Sequence, residues 1–246
     1  SKTIEEPNDR PVITPDDGNE PEKPDVTETK TGTLAFEDIW PGGGDYDMND
    51  VIVEYNRAVS FDKKNQVTKI VDTFTPVHDG AVFANAFAYQ VDKGQFGKMT
   101  FSATTEGIHT ESATSSIIVC PNVKQAIQKV YTITREFTGG SFNKKDLKSY
   151  NPYIIVKYAE GQKGRTEVHL PKHEATSLAD LSLAGTQKDA YYIDKEGAYP
   201  FAIDIPILNF ISVTEKKSID TEYPNFKAWA DSKGEKYTDW YNNHVN

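Results

Sequence analysis

Short runs of apolar residues divided by turn residues dominate the chain from Thr33 onward. The clearest run is 51–61, which opens on the β-branched residues Val51, Ile52 and Val53 and ends at a turn over 62–65. β-Branched and aromatic residues favour strands because they pack well on a pleated surface. Further strand-like runs lie at 33–36, 67–75, 81–91, 99–101, 116–120, 131–137, 153–158, 167–170, 191–193 and 201–205. The pattern predicts a mainly β fold, an antiparallel β-sandwich of the jelly-roll kind.

Two segments have helical spacing instead of strand alternation. Residues 223–232 start near Pro224 and stop before Gly234, and Phe226 and Trp229 share one helical face. Residues 123–130 follow Asn122, a residue that caps helix N-termini well. We therefore predict a short C-terminal helix and a second helix over 123–130.

Composition separates the first 31 residues from the rest. They contain five prolines and no aromatic residue, with nine acidic against four basic side chains. Such a segment buries too little apolar surface to offset the entropy lost on ordering. We predict a flexible acidic linker over 1–31 and one β domain over 32–246, a usual size for all-β domains.

Charge and cysteine content narrow the function classes. The net charge of −10 and pI near 5.0 argue against nucleic acid and anionic lipid as partners, since both require basic surfaces. No apolar run approaches the roughly 18 residues that a membrane helix needs. The single cysteine, Cys120, lies in an apolar run, so we expect a buried thiol and no intrachain disulfide.

The chemistry of the chain is concentrated between Phe36 and Tyr55. Acidic and amide side chains flank the glycines 42–44 here, directly before the run 51–53: Glu37, Asp38, Asp45, Asp47, Asn49 and Asp50. Ca²⁺ takes six to eight oxygen ligands of these types and would remove the repulsion among such closely spaced carboxylates. We predict a structural Ca²⁺ site with Asp45, Asp47, Asn49 and Asp50 as first ligands and Asp38 and Glu37 as second.

The spacing of these acids only partly matches known calcium loops. An EF-hand loop requires Gly at its sixth position and Glu at its twelfth, and Asp50 and Asn56 stand there instead. A strand rather than a helix also follows the loop. The alternative is an acidic turn that satisfies its own side chains by local hydrogen bonds and remains solvated.

The same stretch, FEDIWPGGGDYDMNDVIVEY, resembles the opening signature of the LruC domain, an FEDLWP-type start followed by GDYDFNDLVV. HLPKHEATSLADLSLAGT, YPFAIDIP and YPNFKAWADSKGEKYTDWY are similar to the C-terminal half of that family, so the resemblance covers about residues 32–246. It implies a β-rich, calcium-binding domain of bacterial surface lipoproteins or secreted proteins, with no known ligand and no enzymatic activity. It also implies a lipid anchor upstream of the linker.

His169 and His173 stand four residues apart, as in some zinc sites, but Pro171 between them argues against the helix that such a pair needs. We therefore expect a non-enzymatic, calcium-stabilised module at the bacterial outer-membrane surface or secreted. Its role would be adhesion, glycan binding or assembly, with a glycan or protein ligand. The alternative is a carbohydrate-active or metal-dependent hydrolase that uses these two histidines and a carboxylate.

Overall fold

The computed structural model describes residues 26–103, 105–137, 140–184, 192–193 and 199–245. They form two antiparallel sheets and short helices. The strands are β1 (Val26–Phe36), β2 (Val51–Phe61), β3 (Gln66–His78), β4 (Ala86–Gln90), β5 (Thr100–Ala103), β6 (His109–Glu111), β7 (Ser116–Cys120), β8 (Tyr131–Glu136), β9 (Phe142–Asn143), β10 (Asn151–Ile155), β11 (Glu167–His169) and β12 (Ala202–Ile205). The α-helices are α1 (Lys93–Phe96), α2 (Ile219–Glu222) and α3 (Phe226–Asp231).

The larger sheet has the strand order β12-β1-β2-β3-β8-β5, with β9 added beside β3, and the smaller sheet has the order β11-β10-β4-β7-β6. Strand β1 pairs with β2 along its whole length, whereas β12 covers only Thr33 to Phe36 on its other side. The arrangement is a sandwich and not a closed barrel. The predicted mainly β, antiparallel sandwich with a short C-terminal helix is confirmed.

The main core lies between the two sheets. Phe74 of the larger sheet contacts Phe87 and Tyr89 of the smaller one, with ring centroids 5.0 and 5.2 Å apart. Leu34 and Ile154, from opposite sheets, are buried in the same cluster. Alternate residues of each strand face this core, as the period of two in a strand requires.

A second core covers the opposite face of the larger sheet at one end. Ala35 of β1 and Ile52 of β2 point away from the main core and pack against the C-terminal segment. That segment contributes apolar and aromatic side chains, among them Val213, Ile219, Tyr223, Phe226 and Trp240. Because both faces of the sheet are covered here, the apolar run 51–53 is continuous rather than alternating.

Several predicted elements differ from the structure. Residues 123–130 do not form the predicted helix; a 3₁₀ turn over Val123–Gln125 is followed by Gln128 with φ of +66°. Their backbone bonds elsewhere instead, since Val123 N–H donates to Asn85 O and Gln128 N–H to Pro76 O. The strand predicted at 81–91 is shorter, Ala86–Gln90.

The boundaries of the terminal elements also shift. The predicted linker 1–31 overlaps β1, because residues 26–31 pair with β2; residues 1–25 lie outside the described part of the chain. The strand predicted at 191–193 is described only at 192–193, where Ile193 forms a bridge with Pro200. The helix predicted at 223–232 is Phe226–Asp231. Within the described residues no helix is long and apolar enough to cross a membrane.

A buried ion cluster stabilises the centre of the larger sheet. Asp72 accepts hydrogen bonds from Arg57 Nε at 2.7 Å, Arg135 Nη2 at 3.2 Å and the Tyr89 hydroxyl at 3.0 Å. Burial alone would raise the pKa of Asp72, but the Arg57 and Arg135 guanidinium groups outweigh it and hold that pKa below its ordinary value. Removal of the carboxylate would therefore leave two buried guanidinium groups without their anion.

Asp72→Ala is expected to lower the free energy of unfolding by about 3–5 kcal/mol, the usual cost of breaking a buried ion pair. Urea denaturation measures it. Lys69→Ala, at an exposed position of the same strand, is the control and should change stability by less than about 0.5 kcal/mol. A loss no larger in Asp72→Ala than in the control would show that the cluster does not stabilise the sheet.

Candidate metal centre

The acidic residues lie in the connection between β1 and β2. Phe36 pairs with Val51 at the end of the β1–β2 ladder, so the two ends of the connection, at Glu37 and at Asp50, lie side by side. The Glu37 N–H donates to Phe201 O at 2.7 Å, which holds the start of the connection beside the segment that leads into β12. The connection therefore returns its acidic end, residues 45–50, to its acidic beginning, Glu37 and Asp38.

Three of the six predicted ligands are brought together. A carboxylate oxygen from each of Glu37, Asp45 and Asp47 lies within 4.8 Å of the others. Glu37 and Asp47 are buried, whereas Asp45 is exposed, so the group opens to solvent on one side. No other group of three or more such ligand atoms is present among the residues that the structure describes.

The backbone of the turn explains how alternate side chains converge. Tyr46 and Met48 both have positive φ, 55° and 53°, so the chain curls at every second residue. The Met48 N–H donates to Glu37 Oε1 at 2.6 Å and fixes that carboxylate over the turn. A Cβ on Gly44 would lie 2.9 Å from Ile39 Cγ2 and 3.1 Å from Glu37 Oε2, so a side chain here would displace Ile39 and press on the Glu37 carboxylate.

The C-terminal segment holds the turn from the other side. The Lys216 N–H donates to Asp47 Oδ2 at 2.9 Å, and the Ile219 N–H donates to Tyr46 O at 2.8 Å. Asn49 Nδ2 donates to Val213 O at 3.0 Å. Sequence reasoning missed these partners because they are backbone groups, which leave no residue signature. Their consequence is that the acidic turn joins the sheet to the C-terminal helices.

Two of the three remaining predicted ligands, Asp38 and Asp50, occupy a neighbouring position. Asp50 Oδ2 accepts a hydrogen bond from Asp38 N–H at 2.8 Å, and Asp38 Oδ2 accepts one from Asn85 Nδ2, also at 2.8 Å. Neither Asp38 nor Asp50 belongs to the group formed by Glu37, Asp45 and Asp47. The structure therefore divides the predicted acidic ligands into a triad and an adjacent pair, whereas the sixth predicted ligand, Asn49, donates from its amide nitrogen to Val213 O.

Electrostatics at the turn favour a cation. Burial, and next the charge of Asp50, raise the pKa of Glu37 to about 10. Burial and the charge of Asp38 raise the pKa of Asp50 to about 8. The pKa of Asp45 is raised as well, by burial and by Asp47. Without a cation these carboxylates resist ionisation, so a bound cation would compete with protons for them.

The donor set fits Ca²⁺. Carboxylate and carbonyl oxygens are the ligands of hard cations, and Ca²⁺ accepts irregular sets that keep some water. Glu37, Asp45 and Asp47 would supply the protein ligands, and the exposed side of Asp45 leaves room for water. Mg²⁺ demands stricter octahedral geometry and loses water reluctantly, so it fits this irregular turn less well.

The two histidines stand apart from this site. His169 lies on β11, fully buried, with Nε2 2.8 Å from Glu167 Oε1 and Nδ1 2.7 Å from Asn151 Oδ1. Its ring stacks on Tyr153 at 4.5 Å. His173 Nδ1 lies 3.1 Å from Pro171 O. Both ring nitrogens of His169 are thus engaged in hydrogen bonds within the smaller sheet. Among the described residues neither histidine belongs to a group of three or more metal-ligand side chains, so the hydrolase alternative gains no ligand group from this pair.

Comparison with known proteins identifies the family. Residues 65–241 match the family model described as Domain of unknown function (DUF4842), and the chain belongs to that family. A crystal structure named “Putative lipoprotein from Bacteroides ovatus” is similar over 90% of this chain and 75% of its own, with a TM-score of 0.64 and 17% identity. At that identity the likeness shows the fold alone. No curated protein matches the chain significantly.

The raised pKa values make a prediction for the chelated protein. A carboxyl whose folded-state pKa exceeds its unfolded-state pKa binds its proton more tightly when folded. Its contribution to stability therefore falls as pH rises from about 4 toward the folded-state pKa, by at most about 1.4 kcal/mol per pH unit and group. In chelator, Glu37→Gln should lose less stability than the wild type between pH 5 and 8.

Urea denaturation at several pH values measures this difference. Titrating groups remote from Glu37 cancel because they are common to both proteins, whereas Asp50, whose charge raises the pKa of Glu37, contributes to the difference together with it. Glu37→Gln keeps an oxygen acceptor for the Met48 N–H. Glu106→Gln, at an exposed position, is the control and should follow the wild type. If the stability of Glu37→Gln and of the wild type depends on pH in the same way, the pKa of Glu37 is not raised in the folded state.

Proposed function

We propose that this protein is a non-enzymatic cell-surface module whose acidic turn binds Ca²⁺ for structural reasons. The observation that carries the proposal is the convergence of the Glu37, Asp45 and Asp47 carboxylates within 4.8 Å at a largely buried turn. Three ionised carboxylates so close together repel one another, and a divalent cation converts that repulsion into attraction.

The position of the turn supports a structural role for the ion. Hydrogen bonds from Lys216 N–H to Asp47 and from Asn49 to Val213 O link it to the C-terminal segment, and Glu37 lies directly after β1. An ion at this place would hold together the sheet, the turn and the C-terminal helices. A partly exposed site with three carboxylates also suits the weak calcium affinities of extracellular modules, about 10⁻⁴–10⁻³ M.

The surface assignment rests on two likenesses. The turn and the C-terminal half resemble the LruC domain, and the fold is similar to that of the Bacteroides ovatus structure named above. Together they support an extracytoplasmic protein, anchored by a lipid upstream or secreted. Its role would be adhesion, glycan binding or assembly, with a glycan or protein as ligand.

Calcium is expected to raise the melting temperature of the wild type by several degrees relative to chelator. A ligand that binds only the folded state at a hundred times its dissociation constant stabilises it by about 2.7 kcal/mol, and each kcal/mol corresponds to about 2–4 °C at this size. Mg²⁺ should have a smaller effect. Differential scanning calorimetry in Ca²⁺, Mg²⁺ and chelator, with metal analysis of the purified protein, measures this.

Asp47→Asn is expected to lose most of the calcium response and still fold, because its amide oxygen can keep the 2.9 Å bond from the Lys216 N–H, and only the longer bond from the Asn49 N–H to the other oxygen is lost. Asp239→Asn is the matched control: Asp239 is exposed and makes no side-chain capping bond. It should respond to calcium like the wild type. If the wild type melts at the same temperature in calcium and in chelator, and the metal analysis finds no calcium, the acidic turn binds no calcium and the proposal is wrong.

A further inference from the structure

Two buried oxygen atoms in the described part of the chain lack a hydrogen-bond partner, and they belong to neighbouring segments. They are Asn49 Oδ1 and Asp79 Oδ2. Asn49 is 1% exposed, and the side chain of Asp79 is 4% exposed. The Gly80 N–H donates to Asn49 O at 3.0 Å and joins the two segments directly. A buried acceptor without a donor destabilises the folded state, so two in one place call for an explanation.

Other contacts fix the orientation of both side chains. Asn49 Nδ2 donates to Val213 O at 3.0 Å, so the opposite atom of the amide must be its oxygen. Asp79 Oδ1 accepts hydrogen bonds from Lys124 Nζ at 2.9 Å and from Ala81 N–H at 3.1 Å, so Oδ2 is the oxygen that has no donor. Rotation of either group would lose bonds that are already made.

The space beside Gly80 is surrounded by oxygen. A Cβ built on Gly80 would lie 2.9 Å from Asn49 Oδ1, 2.9 Å from Asn49 O and 3.0 Å from Glu215 Oε2. Two of these oxygens come from the acidic turn and one from the C-terminal segment. Because Gly80 has no side chain, these three acceptor atoms can approach its backbone closely, and they converge beside it.

The surrounding charge is negative. Asp79 acts electrostatically on Asp38, which in turn lies beside Asp50, and the exposed Glu215 adds a further carboxylate. Lys124 is the cation in contact with Asp79, and its ammonium already binds Asp79 Oδ1 and Ala81 O. Acceptor oxygens in anionic surroundings attract a hard cation.

We propose a second Ca²⁺ site beside Gly80, with Asn49, Asp79 and Glu215 as its protein ligands. It is separate from the triad of Glu37, Asp45 and Asp47 and goes beyond the single-ion function proposed above. Because Asn49 belongs to the acidic turn and Glu215 directly precedes Lys216, whose N–H donates to Asp47, the second ion would add a further link between the turn and the C-terminal segment.

Native mass spectrometry after equilibration with Ca²⁺ tests the proposal by counting ions. The wild type should bind two, and Asp79→Asn and Glu215→Gln should each bind one. Lys124→Met should keep both and bind the second ion more tightly, because it removes a positive charge from Asp79. Glu215 is exposed, so its variant should fold even if Asp79→Asn does not.

Asp45→Asn separates the two sites. Because Asp45 belongs to the triad, Asp45→Asn should lose only the first ion. The double variant that combines Asp45→Asn with Glu215→Gln should bind no ion. If Asp45→Asn leaves the count unchanged while Glu215→Gln lowers it, the triad site fails and the second site stands. If Glu215→Gln and Asp79→Asn both bind as many ions as the wild type, the buried oxygens hold water only and this inference is wrong.

Discussion

Repulsion among the carboxylates at the β1–β2 connection is the constraint on which this structure depends. Glu37 and Asp47 are buried, yet they lie close enough to each other and to Asp45 for one ion to contact all three. Simple burial of such groups would destabilise the fold, because each ionised carboxylate loses its hydration. Backbone N–H groups of Met48 and Lys216 donate to Glu37 and Asp47 and offset part of this cost.

This turn lies where the two hydrophobic cores meet. Trp40 belongs to the core between the sheets, whereas Met48 belongs to the core under the C-terminal helices. Between them the chain also carries the acidic ligands. The apolar and acidic residues of the connection thus depend on each other. Packing of Trp40 and Met48 into the two cores brings the carboxylates together, and neutralisation of the carboxylate charge would stabilise that packing.

Much of this architecture could be predicted from local pattern. The strand Val51–Phe61 was predicted with its observed bounds, because the β-branched residues 51–53 mark its start and the turn over 62–65 marks its end. The helix over 123–130 was wrong, because its helical spacing was overridden by backbone bonds to Asn85 and Pro76, which are distant in sequence. Likewise, the acidic stretch identified the ligand types, whereas their division into a triad and a pair depends on Phe36 pairing with Val51 and on contacts with residues 213–219.

Strand β1 has a mechanical consequence that follows from its pairing. Its 11 residues are all in register with β2, and β12 supports it on the other side only from Thr33 to Phe36. A pull on the chain before Val26, directed along the strand, would load the β1–β2 hydrogen bonds together in shear rather than one after another. The far end of the same strand leads directly into Glu37 and the acidic turn. Tension entering at Val26 would thus be borne by the whole ladder and, at its far end, by the turn that is hydrogen-bonded to the C-terminal segment.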